Sequence, residues 1–590
     1  MFLDDHLGSS TFISYWETLP INHLYMIGLN LPPSAHAHAK LQRLDARITG
    51  DRKPWVPLQN YLSNTLPQFQ NDIRAGRARL DLGIISISPP DQRGMSSHGL
   101  TTGLHPAVLA HATKCFGVIN HRMPRTQGPQ VPITQFAKVF ECDQPPLETP
   151  PVLAGPASKK IARYLASLIE DGDTIQCSDD DVAREFLRLL QGGKALGIHT
   201  DVISDEVGNL VARGVVTSGV RGSFARGTRA LFDQIGDDPF QFYAVGDLAC
   251  LRRTAALPRF VAVAPATVMD LSGQASLARR SGNLVWGGLG CFPEFLRGAA
   301  LSPMGRSIVW LPSTHADGSS NIRFRIPETQ TVSIPRNDIH FAVTEYGFAN
   351  LLGKSLPQRA ATMVEIAHPR YREPLMREAH EHGLLPRLWA IRNRAHYPIE
   401  HLRTVTTKSG QDIHIRPAKC SDFPELQRLF YQMSSQDIYF RFHAGVTSLS
   451  DQNAIHLCNT NYGPDYAVVA TPNDWTQNEV LATGCYFIEP KGKRAELALM
   501  VHPSYQNQGI GKAMLGFLID QARQAGLDTL TAEVIDGNHP SLHLLANAGL
   551  PITRTVSSGV HSIRLDLRMA REQPLVTRGL NWLKQRRKAS

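Results

Sequence analysis

The stretch that decides the C-terminal fold is "AELALMVHPSYQNQGIGKAMLGFLIDQARQAGL", residues 495–527. Residues 495–501 read as a strand, and the segment closes on a helix with apolar positions 513, 514, 517, 518 and 522 along one face. Between the two lies Gln506-Asn507-Gln508-Gly509-Ile510-Gly511, followed by Lys512. Glycines at 509 and 511 let consecutive backbone N–H groups point outward at the helix start. The helix dipole adds positive potential there, so the turn forms a cradle for a pyrophosphate. A lone Gly-x-Gly would carry little weight, but the strand before it and the amphipathic helix after it make the signal specific.

The chain has 590 residues, too many for one hydrophobic core, and should contain roughly three or four domain-sized units. It is 42% hydrophobic and 19% charged, as expected of an ordinary globular protein. A formal net charge of +9 favours anionic ligands such as a nucleotide phosphate but is no nucleic-acid signature at this length. The eight cysteines show no Cys-x-x-Cys pair and no Cys/His ligand spacing, which argues against a disulfide framework and a metal site. No run approaches the ~20 apolar residues of a membrane span, and the opening "MFLDDHLGSS" lacks the apolar core of a signal peptide. A cytoplasmic protein that binds neither nucleic acid nor membrane is the expectation.

Two breaks divide the chain. "CDQPPLETPPVLAGPAS" (142–158) carries five prolines, which forbid regular helix, and "YPIEHLRTVTTKSGQDIHIRP" (397–417) enters a new strand-rich unit. Short β-branched strands alternate with amphipathic helices between them: "LDLGIISISPP" (80–90), "HPAVLAHATKC" (105–115), "CFGVIN" (115–120), "SKKIARYLASLI" (158–169), "KALGIHTD" and "DEVGNLVARG". This rhythm predicts α/β layers with largely parallel sheets, whose ligands sit beyond the carboxyl ends of the strands. Asp201 stands at such an end. Helix capping competes with chemistry as its explanation: Asp201, Ser204 and Asp205 all precede an apolar helix and Asp205 is a good N-cap, although Asp201, four residues earlier, is less easily explained that way.

Residues 411–570 resemble the GNAT N-acetyltransferase superfamily, with 495–527 as its motif A. Supporting blocks are "IHIRPAKCSDFPELQRLFYQMS" (413–434), "DYAVVAT", "EVLATGCYFIE" and "NHPSLHLLANAGL" (538–550). "SQDIYFRFHAG" (435–445) resembles the Ser-x-x-x-Tyr-x-Arg-Phe element of bacterial protein-lysine acetyltransferases. The resemblance implies that Glu496, in Ala495-Glu496, is the general base. A lysine amine, with a pKa of about 10.4, must lose a proton before attacking a thioester, and a carboxylate in a partly desolvated strand position can take it. A surface glutamate on an exposed strand face is the plain alternative. The resemblance further implies that the backbone of Leu499, Met500 and Val501 pairs with the pantetheine arm. Asn538 either contacts cofactor near the sulfur or caps the following helix. The tyrosine many members use as general acid is absent from Leu542 to Leu550, leaving thiolate protonation to water.

Residues from about 20 to 395 resemble the acetyl-CoA hydrolase and CoA-transferase family, including the 4-hydroxybutyrate CoA-transferases. The match is carried by "ISISPPDQRGMSSHG" (85–99), "NHRMPRTQG" (120–128), "LGIHTDVISDEVGNLVARGVVT" (196–217), "GLGCFPEFLRGAALSPMGRSIVWLPST" (288–314), "PRNDIHFAVTEYGFANLLGKSLPQRA" (335–360) and "IAHPRYREPL" (366–375). It implies that Asp201 occupies the place of a glutamate that attacks the acyl-CoA carbonyl, and that Gly288 and Gly290 belong to the loop stabilising the oxyanion. Three departures stand out. Aspartate is one methylene shorter, and Cys291 and Phe292 replace a glycine and a glutamine of that loop. Asp179, Asp180 and Asp181 would repel a phosphate where a glycine-rich turn is usual. Either Asp201 remains a weaker nucleophile or a base for water, or the module has lost catalysis and binds acyl-CoA.

The reading at this stage is an α/β chain: a two-subdomain CoA-transferase-like module (1–157 and 158–400), a GNAT domain with a central mixed sheet (411–570) and a basic tail (571–590). It implies an acetyl-CoA-dependent acetyltransferase acting on protein lysines, with acetyl-CoA or CoA as substrate, no metal, and a homo-oligomeric assembly. The alternative is an acetyl-CoA hydrolase or acyl-CoA:carboxylate CoA-transferase with an accessory GNAT domain.

Overall fold

The structure is a computed structural model. It describes residues 63–149, 153–191, 195–281, 284–286, 288–387, 389, 396–460, 462–463, 465–489 and 492–568, with the strands at 2–3, 23–27, 40–45 and 56–57 before them. The basic tail lies outside the described residues. The chain separates into two units, Met1–Leu351 and Leu352–Ser590.

The first unit holds two large sheets. Strands β1 (Phe2–Leu3), β2 (His23–Ile27), β3 (Lys40–Asp45), β4 (Leu82–Ile87), β5 (Lys114–Asn120) and β6 (Lys138–Cys142) form a wholly parallel sheet in the order β3-β2-β1-β4-β5-β6. The segment "HLYMI" (His23–Ile27) thus supplies a strand of this sheet. Strands β7 (Thr174–Cys177), β8 (Leu196–His199), β9 (Val216–Gly222), β10 (Phe240–Phe242), β11 (Phe260–Pro265), β12 (Arg306–Trp310), β13 (Phe341–Thr344) and β14 (Gly347–Asn350) form the second. Its order is β10-β9-β8-β7-β11-β12-β13-β14, parallel except for the last pair. Strand order reverses at β7 and β11, and their carboxyl ends define the switch point of the sheet. Helices α1 (Pro156–Ser167) and α3 (Asp205–Ala212) follow the pattern read from the sequence, and α2 (Asp181–Leu189) and α4 (Phe292–Leu301) join them. Each buries its apolar stripe; α4 packs on β11 and β12.

The second unit begins with α5 (Leu356–Ile366) and α6 (Pro369–Glu381), ahead of the sequence break at 397–417. Its sheet comprises β15 (Arg403–Thr406), β16 (Asp412–Pro417), β17 (Tyr466–Pro472), β18 (Ala482–Ile488), β19 (Arg494–Val501), β20 (Thr529–Ile535), β21 (Ile552–Ser557) and β22 (Val560–Asp566). The order is β15-β16-β17-β18-β19-β20-β22-β21, antiparallel throughout except for β19 and β20, which run parallel. This is the mixed sheet expected. Helices α7 (Phe423–Gln432), α8 (Ser435–Phe442), α9 (Ile510–Gln524) and α10 (His539–Ala546) belong to the unit, as does the helix Asp451–Cys458. The core lies under α9, where Met514, Leu515, Phe517, Leu518 and Ile519 are fully buried against Val468, Tyr486, Ala495, Leu497 and Leu530. No helix among the described residues is long and apolar enough to cross a membrane, and all eight cysteines are free thiols.

Buried charge is fully matched where β16 leads into α7. Arg416 grips Asp422 with both guanidinium nitrogens at 2.8 Å, and the Lys419 N–H donates to the same carboxylate at 2.7 Å. Burial opposes the charge on Asp422, but Arg416 outweighs it and holds the carboxyl below its ordinary range. Removing one partner of such a pair strands the other, so Asp422→Ala should cost about 3–5 kcal/mol, measurable by denaturant titration. In the first unit, burial at the end of β8 holds the His199 imidazole down at about 4, and its Nε2–H donates to the Leu248 carbonyl at 2.7 Å. An unfolded histidine takes its proton near 6.5, so His199 withdraws stability as pH falls from about 6.5 to about 4. NMR of the labelled imidazole should show a neutral ring across that window.

Candidate functional site

Strands β19 and β20 pair only at Arg494–Thr529, Ala495–Leu530 and Glu496–Thr531. Beyond Glu496 the ladder stops, although β19 stays paired with β18 through Val501 and β20 with β22 through Ile535. Two strands held on their outer sides have parted on their inner side. The facing edge of Leu497–Val501 therefore meets no strand, and an extended ligand could add itself there. Leu499, Met500 and Val501 lie on this open edge.

The turn after β19 continues the arrangement. Gly509 has φ +93° and Asn507 φ +60°, left-handed values that aim successive peptide groups the same way. The backbone N–H groups of Asn507, Gln508, Gly509, Ile510, Gly511 and Lys512 find no acceptor among the described residues. Six consecutive donors thus point outward where a fifteen-residue helix begins, the end at which the helix dipole is positive. The side chains of Gln506 and Gln508 are otherwise engaged. Gln506 Nε2 donates to Val501 O at 3.2 Å and to Asp437 on α8 at 3.4 Å. Gln508 Oε1 accepts from the Ser409 N–H at 3.1 Å. They fasten the turn, leaving the backbone as its ligand surface. Asn538 caps α10, its Oδ1 accepting from the Ser541 N–H at 3.2 Å.

Glu496 makes the last pair before the strands part, on the sheet face opposite α9. Contrary to the expectation of a partly desolvated carboxylate, its side chain is exposed. Phe487 is its cross-strand neighbour on β18, stacked on His456 at 5.0 Å. Arg441 of the "SQDIYFRF" element lies beside Cys485, whose thiol burial pushes up against the pull of that guanidinium. His443, in the left-handed region at the end of α8, reaches within 4.0 Å of Glu533 on β20. His443 and Glu533 went unremarked in the sequence, although alternation along "TLTAEVI" puts Glu533 on the outward face.

At the second sheet of the first unit, Asp201 follows β8 and is 1% exposed. Its carbonyl accepts from the Ser223 and Phe224 N–H groups at 3.1 and 2.9 Å, and Thr200 Oγ1 donates to Cys177 O at 2.9 Å. The Cys177 thiol beside it is pushed far up by burial and by Asp180, Asp201, Asp179 and Glu206. Two expectations are corrected here. Asp205 is not the N-cap of α3: Ser204 holds that position, while the Asp205 carboxylate accepts from the Thr228 N–H and hydroxyl. The three aspartates do not confront a phosphate either. Asp179 pairs with Arg184 at 2.9 Å, Asp180 caps α2 at 2.9 Å, and Asp181 accepts from Ser158 at 2.6 Å. Burial raises Asp180 to about 6.

The glycine loop is closed rather than open. Gly290, at φ +53°, accepts the Leu66 N–H through its carbonyl, and Gly288 is half-buried. Cys291 and Phe292 are 0% and 4% exposed, so the two replaced positions now fill core space. Glu294, raised by burial, is hydrogen-bonded by Thr65. Among the described residues no group of His, Cys, Asp or Glu is arranged to hold a metal ion.

Comparison with known proteins agrees with both halves of this geometry. Residues 227–379 match the acetyl-CoA hydrolase/transferase C-terminal domain, and residues 435–550 match the acetyltransferase (GNAT) family. The 4-hydroxybutyrate coenzyme A transferase of Clostridium kluyveri is 33% identical over 313 residues, 51% of this chain and 73% of that protein. The crystal structure of RipA from Yersinia pestis superposes with a TM-score of 0.55 at 26% identity, over 62% of this chain and 88% of that one. The L-amino acid N-acyltransferase MnaT of Escherichia coli is 38% identical over 58 residues, 10% of this chain and 34% of that enzyme. The chain belongs to the acetyl-CoA hydrolase/CoA-transferase family and carries a GNAT acetyltransferase domain in the same polypeptide.

Proposed function

We propose that the chain is an acetyl-CoA-dependent N-acetyltransferase acting on protein lysines, and that its CoA-transferase-like module binds acyl-CoA without turning it over. The observation that carries the reading is the parting of β19 and β20 directly above six acceptor-free amides. Acetyl-CoA laid in that opening would pair its pantetheine amides with Leu499–Val501 and rest its pyrophosphate on the N–H groups of Asn507–Lys512. Its thioester would then lie near Glu496, where pairing ends. Glu496 takes a proton from the lysine ammonium, directly or through water. The freed amine attacks the thioester carbonyl, the C–S bond breaks as the thiolate leaves, and the nitrogen gives its remaining extra proton to water. A thiol pKa near 8.5 lets water return that proton with little help. Glu496 is exposed in the free chain; bound substrates would supply the dry surroundings that make it a better base.

For the first module, the burial of Asp201, the apolar filling of the glycine loop and the internal pairing of all three aspartates support binding over turnover. Together the two modules would tie acetylation to acyl-CoA supply. We assign the CoA-transferase-like subdomains to 1–157 and 158–400, the acetyltransferase to 411–570 and a basic tail to 571–590. The similarity to CoA-transferases favours a second reading, in which the first module performs hydrolysis or CoA transfer through Asp201.

The test is transfer of labelled acetyl from acetyl-CoA to a lysine peptide by the full chain. Glu496→Gln should lower kcat by about a hundredfold or more, the scale of a lost general base. Asp201→Ala should leave transfer unchanged. Full-rate transfer by Glu496→Gln would remove the assigned base, and acceptor-independent thiol release abolished by Asp201→Ala would establish the second reading. Gly509→Val, which forces a side chain into a left-handed position, should raise the KM for acetyl-CoA several-fold while sparing that for the peptide.

A further inference from the structure

Glu533 stands two residues beyond Thr531 on β20, about 6.6 Å further along the strand and on the same sheet face as Glu496. Had the ladder continued, Glu533 would face Ala498; because it stops at Glu496, Glu533 lines the far wall of the opening. The two carboxylates therefore flank the mouth of the cleft from opposite strands. Glu533 is 59% exposed, and its ion-pair partner is His443, 4.0 Å away at the end of α8. A third acid, Glu489, level with Arg494 on the other side of Glu496 from Glu533, accepts from Thr531 Oγ1 at 3.5 Å. Arg564, paired across from Thr531 on β22, borders the site on its other side, and Arg441 lies toward Cys485.

We infer that Glu533 is a specificity-determining residue that holds the ammonium of a cationic amine acceptor at the mouth of the cleft, leaving Glu496 to take the proton. This rests on the acetyltransferase reading and deepens it. An amine arriving charged gains from an anionic contact at the mouth, and a second carboxylate there can hold the ammonium while Glu496 takes its proton. Among the described residues Glu533 makes no hydrogen bond to a neighbouring strand through its side chain, and its contact with His443 is long enough to be exchanged for a ligand. A hydrophobic or hydroxyl acceptor would gain nothing from it.

The experiment is initial-rate kinetics of the full chain with acetyl-CoA and two probes, Nα-acetyl-lysine methylamide and a lysine oligomer. Glu533→Gln should raise the KM of each amine about three- to fivefold, the scale of one partly exposed ion pair, with kcat and the KM of acetyl-CoA held within about twofold. Glu533→Asp should recover part of the loss, and His443→Gln should leave the amine KM unchanged or lower it. Equal amine KM values in wild type and Glu533→Gln would overturn the inference, as would a fall in kcat at constant amine KM. Absence of transfer to both probes by the wild-type chain would overturn the acetyltransferase reading and this inference with it.

Discussion

The second unit is organised around a ladder that ends early. Strands β19 and β20 share three pairs and then separate, each kept in place by its outer neighbour. Backbone donors and acceptors in a sheet are costly to leave unmatched away from water. An opening in mid-sheet, bordered by a strand on which α9 packs, is therefore where the acyl-CoA of the proposed reading would add as another extended chain. Almost everything functional in the unit is referred to it. Glu496 closes its narrow end, the turn from Asn507 to Lys512 supplies donors at its wide end, and α8 is tied to that turn through Asp437 and Gln506.

The first unit shows the opposite economy. Its parallel sheet keeps the switch point at which such folds bind ligands, and its strand order is intact. The groups around that point have turned inward. Asp201 is buried, Asp179 is spent on Arg184, and Cys291 and Phe292 pack where open loop is expected. A fold persists because hundreds of buried contacts specify it, whereas a site depends on a few side chains facing solvent. Loss of the second with retention of the first is physically undemanding.

Much of this was legible in the sequence because it is local. The alternation in 495–501, the glycines of the turn and the 3.6-residue stripe of α9 each follow from neighbouring residues, as do the βαβ rhythm and most helix boundaries. What was not legible depends on distant pairing. Nothing in "RAELALMV" states that its ladder with β20 stops after Glu496, so the opening, and the place of Glu533 beside it, could not be read. Asp205 looked like a cap because its context is cap-like; Thr228, 23 residues away, claims its carboxylate instead. The three aspartates looked like a repulsive surface because the sequence does not show Arg184 folded back on Asp179.

Amide hydrogen exchange on the full chain, with and without acetyl-CoA, tests the central claim most directly. Occupation of the opening should slow exchange at the amides of Leu497–Val501 that point away from β18 and across Asn507–Lys512, which find no acceptor among the described residues of the free chain. Unchanged exchange in both segments at saturating acetyl-CoA would contradict the account.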